Sequence, residues 1–394
     1  MRDIPGFKID KWAQEFTPKA EIKLHGSYAT ALTLNELQKL SSDSSRSPVD
    51  FDFQLAYGTA TGLPALRKRV AEIHSSENVK LTEDNVVITP GSIMANYLVL
   101  TTICGKGDHL ICQYPTYGQL YILPRFQGVD VDLWKMKAEN DWIPKVEDLA
   151  AMIKPNTKAI VVNNPSNPTG TVLPDNVLKE ILALAEKHNI LVFADEVFSP
   201  LFHTSDPPPP PLVSLGYKKS VSTGSVSKSY GLPGIRVGWV VSQDPAILEQ
   251  VITAMDYTTN FMSQLDEGVA AFALGPDVLP QLLERNLAGC RSRIATLDEF
   301  VKRNAGRCSW VAPKGAGTAF IRILNRDGTP VDDLKFCNQL VDKYGVSVIP
   351  GGQCFSDEGL DDFKGYIRLT LGDKPRFEEG LALIEKLLSE PEDF

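Results

Sequence analysis

The chain has 394 residues, 43% of them hydrophobic and 23% charged, with a formal net charge of -9. That is enough apolar material for a sizeable core shared among two or three domains, while the deficit of Lys and Arg argues against a nucleic-acid surface, which is built from basic patches. The chain has no apolar run of about 18 residues that would span a membrane, and its opening MRDIPG lacks the apolar stretch of a signal peptide.

Residues 1–45 are mixed in character, and the Ser-rich stretch 41–47 reads as a loop. From about residue 55 onward, strand-like and helix-like segments alternate. Residues 85–89 (NVVIT) form a short apolar strand, followed by Pro-Gly-Ser and an apolar helix from Ile93. Strands follow at 109–112, 129–133 and 159–162 (AIVV), then an amphipathic helix at 177–188 and a buried strand at 190–194 (ILVFA). This order predicts an α/β domain with a mostly parallel sheet and right-handed crossovers. Five consecutive prolines at 207–211 read as a stiff surface loop rather than a ligand for a partner. After the breaker Gly275-Pro276, residues 277–302 predict a long connecting helix, with Pro280 in its first turn, where a missing N–H costs little. A second, smaller α/β region follows: strand 317–323, helix 330–344, strands 346–349 and 366–371, and helix 377–388. The six cysteines include no Cys-x-x-Cys pair and His is scarce, so they read as reduced thiols of a cytoplasmic protein, with little support for a metal site.

The chemistry centres on SVSKSYGLPGIRVGW, residues 225–239. Lys228 lies between small hydroxyl residues and a glycine-rich turn, with Arg236 eight residues on. Lysine suits Schiff-base chemistry because its amine loses its proton readily when desolvated or near another cation. Ser225 and Arg236 can hold a phosphate, the guanidinium supplying a planar fork of donors. A Schiff-base lysine beside a phosphate clamp describes pyridoxal 5'-phosphate, whose pyridine nitrogen wants an acid. Asp195 ends the apolar run ILVFAD at the carboxyl end of a strand, where α/β sheets place their ligands. Asn167, in NNPSNPTG (163–170), follows the strand AIVV and offers an amide to the cofactor's 3'-oxygen. Ser92 and Ile93 open a helix after a Gly-Ser turn, presenting backbone N–H groups and a positive dipole end to the phosphate.

Four motifs in order, GSIMAN, NNPSNPTG, ADEVF and SVSKSYGLPGIRVGW, resemble the fold-type-I pyridoxal-phosphate enzymes of the class I/II aminotransferase family. The similarity runs from LHG (24–26) to YIRLTLG (366–372). It implies a seven-stranded, mostly parallel sheet flanked by helices in a large domain (46–285), a small α/β domain (286–394), and an N-terminal arm that contributes to the small domain (1–45). It also implies roles. Lys228 resembles the lysine that carries the cofactor and moves the Cα proton; Asp195 resembles the partner of the pyridine nitrogen; Asn167 resembles the 3'-oxygen donor that also reaches the substrate carboxylate. Ser92, Ile93, Ser225 and Arg236 resemble the phosphate cup, and Tyr117 the ring that stacks on the pyridine. Tyr57, in YGTATGLPALR, is similar to the tyrosine that reaches the phosphate from the neighbouring subunit, so a homodimer with shared active sites is implied. Arg368 resembles the α-carboxylate clamp and Gly26 the glycine lining the substrate. Phe198 departs from the pattern: the family has a tyrosine there that donates to the 3'-oxygen.

The expected function is an aminotransferase acting on a small α-amino acid. The alternative is a cyclase, synthase or β/γ-eliminating lyase of secondary metabolism, since the motif pattern also resembles a capreomycidine-synthase-like branch and fold alone does not fix the reaction. A binding or regulatory protein without turnover is disfavoured by the intact Lys228, Asp195 and Arg368.

Overall fold

The computed structural model describes residues 4–372, 374–391 and 394. It opens with helix α1 (Lys8–Phe16) and a two-residue strand, β1 (Ile22–Lys23). The next strands are β2 (Val86–Thr89), β3 (His109–Tyr114), β4 (Asp130–Lys135), β5 (Thr157–Asn163), β6 (Leu191–Asp195), β7 (Ser220–Ser225) and β8 (Gly238–Ser242). They form one seven-stranded sheet in the order β2-β8-β7-β6-β5-β3-β4. Only β8 runs opposite to the other six strands. Every residue of β2, β3, β6 and β7 is buried, which explains why these strands lack polar alternation: helices cover both faces of the sheet. Helix α2 (Ser92–Ile103) follows β2, and α3 (Asp175–His188) precedes β6. The inner stripe of α3, Val177, Leu178, Ile181, Leu182 and Ala185, is the 3.6-residue period of an amphipathic helix, and Asn189 ends it in the left-handed conformation.

Helix α4 (Leu279–Arg303) leads to strands β9 (Cys308–Trp310), β10 (Thr318–Ile323), β11 (Val346–Ser347), β12 (Ile349–Pro350) and β13 (Tyr366–Thr370). Of these, β12, β13, β10 and β9 make an antiparallel four-stranded sheet in that order. β11 pairs in parallel with β1, Ile22 opposite Val346, so the N-terminal segment is built into the C-terminal region. Two local expectations change. The helix expected from 330 begins at Asp333, because the Asp332 carboxylate caps it, accepting from Lys335 N at 2.9 Å. The single strand expected over 346–349 is split at Val348, each half pairing with a different sheet. Among the described residues no helix is long and apolar enough to cross a membrane. All six cysteines are buried and outside any disulfide.

Parallel order decides where chemistry can collect. The carboxyl ends of β2, β3, β5, β6 and β7 share one edge of the sheet, so the turns leaving them converge.

Candidate active site

Those turns carry Ser92, Tyr117, Asn167, Asp195 and Lys228, and they meet Arg368 of β13 around a cavity of about 210 Å³. The lysine amine donates to Ser27 Oγ at 2.9 Å. Burial, aided by the guanidiniums of Arg368 and Arg236, pulls its pKa down to about 8, so a nucleophilic free amine is accessible near neutral pH. Asp195 closes β6 with each carboxylate oxygen accepting one hydrogen bond: Oδ2 from Asn96 Nδ2 at 2.9 Å and Oδ1 from Val197 N at 3.1 Å. Asn96 is itself oriented by Thr223, whose hydroxyl donates to its Oδ1 at 2.6 Å. Burial raises the Asp195 carboxyl above its ordinary value, so the site gains from a cation placed against it.

Asn167 is held by its backbone, its N–H donating to Asn163 Oδ1 at 2.7 Å, while its own side-chain oxygen accepts from Arg368 Nη1 at 3.0 Å. Arg368 Nη2 donates to the His25 carbonyl at 2.8 Å, and its buried Nε has no hydrogen-bond partner among the described residues. Burial lowers the guanidinium to about 10, so it stays charged at neutral pH. A buried, charged donor without a partner is a site for an anion. His25, pulled down to about 4 chiefly by burial, is neutral beside it.

The other end of the cavity is a cradle. Gly91 sits at the N-cap of α2 with φ of 79°, and a Cβ there would lie 2.5 Å from Arg236 Nη2. A Cβ on Gly238 would press on the same turn, 2.6 Å from Ser92 N. Both glycines therefore let the guanidinium and the first N–H groups of α2 close around a small anion. Arg236 Nη1 also donates to Ser227 Oγ at 3.3 Å. An amine that forms Schiff bases, a carboxylate at a strand end and an anion cradle together fit an aldehyde on a phosphorylated, basic ring: pyridoxal phosphate. Lys228, Asp195 and the Ser92–Arg236 cradle could hold its three functional ends.

Ser92, Ile93, Tyr117, Asn167, Asp195, Phe198, Lys228, Arg236 and Arg368 all border this cavity. Three other expected residues do not. Ser225 turns its hydroxyl to the Val237 carbonyl at 2.7 Å, and Ser227 faces the cavity instead. Gly26 lies one step from the wall, between His25, whose carbonyl Arg368 engages, and Ser27, which lines it. Tyr57 is 85% exposed on a separate groove, its ring 4.9 Å from that of Phe261. Sequence reasoning missed Ser27, Asn96, Asn163, Ser227 and, on α1, Ile9 and Asp10. Asn96 could have been found, since it lies one helical turn beyond Ser92 on α2. Asp10 carries no motif signal at all.

A sequence profile for aminotransferase class I and II matches residues 49–384. The chain is 30% identical over 390 residues to capreomycidine synthase of Streptomyces vinaceus, covering 98% of this chain and 94% of that one. It is 28% identical over 397 residues to nicotianamine aminotransferase 1 of Oryza sativa subsp. japonica, covering 96% and 77% respectively. A pyridoxal-phosphate-dependent aminotransferase structure from Streptococcus suis superposes with a TM-score of 0.87 at 31% identity, covering 98% of both chains. The chain therefore belongs to the class I and II aminotransferase family and is a pyridoxal-phosphate-dependent enzyme acting on amino acids.

Proposed function

We propose that the enzyme removes the amino group of an α-amino acid, with Lys228 as covalent anchor of the cofactor and as the base at the substrate's Cα. The observation that carries this reading is the placement of the Lys228 amine, its pKa pulled to about 8, in one cavity with Asp195 and the open guanidinium edge of Arg368. Ser92, Ile93 and Arg236 are assigned to the phosphate, assisted by Ser227 and, behind it, Ser225. Asp195 is assigned to the ring nitrogen, Asn167 to the 3'-oxygen, and Tyr117 to the ring face. Gly26 is assigned to the substrate wall. When bound, pyridoxal phosphate supplies a sink for the electron pair left at Cα. The protein's part is positional. Arg368 fixes the α-carboxylate by a charge-assisted pair, Asn167 steadies Arg368, and Lys228 Nζ takes up the Cα proton.

The active unit is a homodimer in which Tyr57 completes the phosphate site of the partner subunit. Support comes from the exposure of Phe51 (89%), Leu55 (90%), Tyr57 (85%) and Tyr257 (87%), large side chains that an isologous partner would cover. We divide the chain into an arm that joins the small domain (1–45), a large cofactor-binding domain (46–285) and a small domain (286–394). The pairing of β1 with β11 supports this division. Buried thiols outside any disulfide suit a reducing, cytoplasmic setting.

A second reading, cyclisation or elimination, draws on the likeness to capreomycidine synthase and on Phe198, which borders the cavity without a hydroxyl. A panel of amino acids incubated with holoenzyme separates the two. A keto acid together with aminated cofactor supports transamination. Ammonia or a cyclic product supports the second reading.

A further inference from the structure

The N-terminal helix α1 is fastened over the cavity. Trp12 Nε1 donates to the Val348 carbonyl at 2.9 Å, Lys8 Nζ to the Ser356 carbonyl at 2.8 Å, and the Phe7 ring lies 4.8 Å from that of Tyr117. These contacts fix Asp10, which lies between them and borders the same cavity as Lys228 and Arg368. Its carboxylate remains open to solvent at the mouth, and among the described residues it has neither a hydrogen bond nor an ion pair.

Five charged side chains border the cavity, Asp10, Asp195, Lys228, Arg236 and Arg368, and with Lys228 committed to the cofactor's aldehyde one of the other four is left over. On the functional reading above, Arg236 meets the cofactor phosphate, Arg368 the substrate α-carboxylate, and Asp195 the ring nitrogen. Asp10 has no counterpart in this set. Without one it opposes binding, because it places a negative charge near the route of the substrate's own carboxylate. Burial raises its carboxyl above the ordinary value, while Lys228 and Arg368 pull it back down.

We propose that Asp10 is the specificity residue for the side chain of the substrate, and that the preferred substrates are α-amino acids whose side chain ends in a cation. An ammonium or guanidinium reaching the mouth from a substrate anchored on Arg368 would meet Asp10 at the far end. Acidic side chains would be repelled there, and neutral ones would gain no attraction from the carboxylate. This inference rests on the assignment of Arg368 to the α-carboxylate.

The test uses purified holoenzyme, wild type and Asp10→Asn, titrated with L-arginine, L-lysine and the uncharged L-citrulline and L-norleucine. Binding is read from the perturbation of the cofactor's visible absorbance, and turnover as kcat/KM. Wild type is expected to favour each cationic amino acid over its neutral counterpart by about tenfold or more. Asp10→Asn should remove that preference while leaving the neutral pair within about twofold. Asp10→Glu should retain it. Equal losses for cationic and neutral amino acids, or no change, would overturn the role of Asp10; the first result would make it a positioning residue for Lys228. A wild-type absorbance band moved by neutral but not preferentially by cationic amino acids overturns this inference alone. A band moved by no amino acid overturns the functional reading beneath it as well.

Discussion

The guanidinium of Arg368 donates from Nη1 to Oδ1 of Asn167 at 3.0 Å, joining β13 to the turn that follows β5. Together with the bond from Nη2 to the His25 carbonyl at 2.8 Å it orients the cation, and the Phe355 ring lies 5.6 Å away. The Arg368 Nε has no hydrogen-bond partner among the described residues, and we assign that edge to the substrate carboxylate. Arg368→Lys keeps the charge and loses the fork, so kcat/KM for amino acids should fall by about tenfold to a hundredfold. An unchanged kcat/KM would place the carboxylate site elsewhere.

Gly91 gives a second prediction. At φ of 79°, with a Cβ directed at Arg236, alanine strains the backbone and pushes the guanidinium out of the cradle. Gly91→Ala should weaken cofactor affinity by about tenfold or more, on the scale of a lost charge-assisted hydrogen bond. The apoenzyme should still fold. The check is the cofactor dissociation constant set beside the apoenzyme melting temperature. Unaltered affinity would mean that the cradle does not hold the phosphate.

The exposed Tyr57 predicts complementation between subunits. Tyr57→Ala and Lys228→Ala should each be inactive or nearly so when expressed alone. Mixed and re-associated, half of the dimers are hybrids with one intact site each, so about a quarter of wild-type activity should return. No recovery in verified hybrids, or a fully active monomer in sedimentation, would contradict the shared site.

Phe198 is 3% exposed and packs with Val197 and Ala316 on the cavity wall. A hydroxyl there would donate to a negatively charged cofactor oxygen, and hydrogen bonding to a charged form favours that form. Phe198→Tyr should therefore lower the pH midpoint of the cofactor's visible absorbance change. Coincident titration curves, or an upward shift, would show that this side chain does not face the oxygen.

Much of this site was legible because its chemistry is tied to strand ends. ILVFAD is an apolar run that stops on a carboxylate, so the sequence alone puts Asp195 at the sheet edge. Lys228 and Arg236 stood out within one short segment. The order of strands and helices was equally readable, because both parallel-sheet strands and covering helices have strong apolar periods. Illegible features depended on tertiary placement. In SVSK either serine hydroxyl could face the ligand, and the end of β7 at Ser225 decides for Ser227. Tyr57 cannot show its destination within one chain. Asp10 lies on a helix whose sequence announces only that one face is apolar, and the fastening of that helix through Trp12 and Lys8 brings the carboxylate to the cavity.

The Lys228 amine, lowered to about 8, also predicts a pH dependence. Below that value the free amine increases about tenfold per pH unit, and above it the increase stops. Cofactor uptake by apoenzyme should accelerate from pH 6 to about 8 and then level off. Acceleration continuing beyond pH 10 would mean an ordinary, solvated lysine.

Borohydride reduction of the holoenzyme, followed by peptide mass mapping, tests the central claim most directly. The account predicts that the reduced cofactor is found on the peptide carrying Lys228, at about one per chain, and that Lys228→Ala takes up no label while remaining folded. Label on any other lysine, or full labelling of Lys228→Ala, would contradict it.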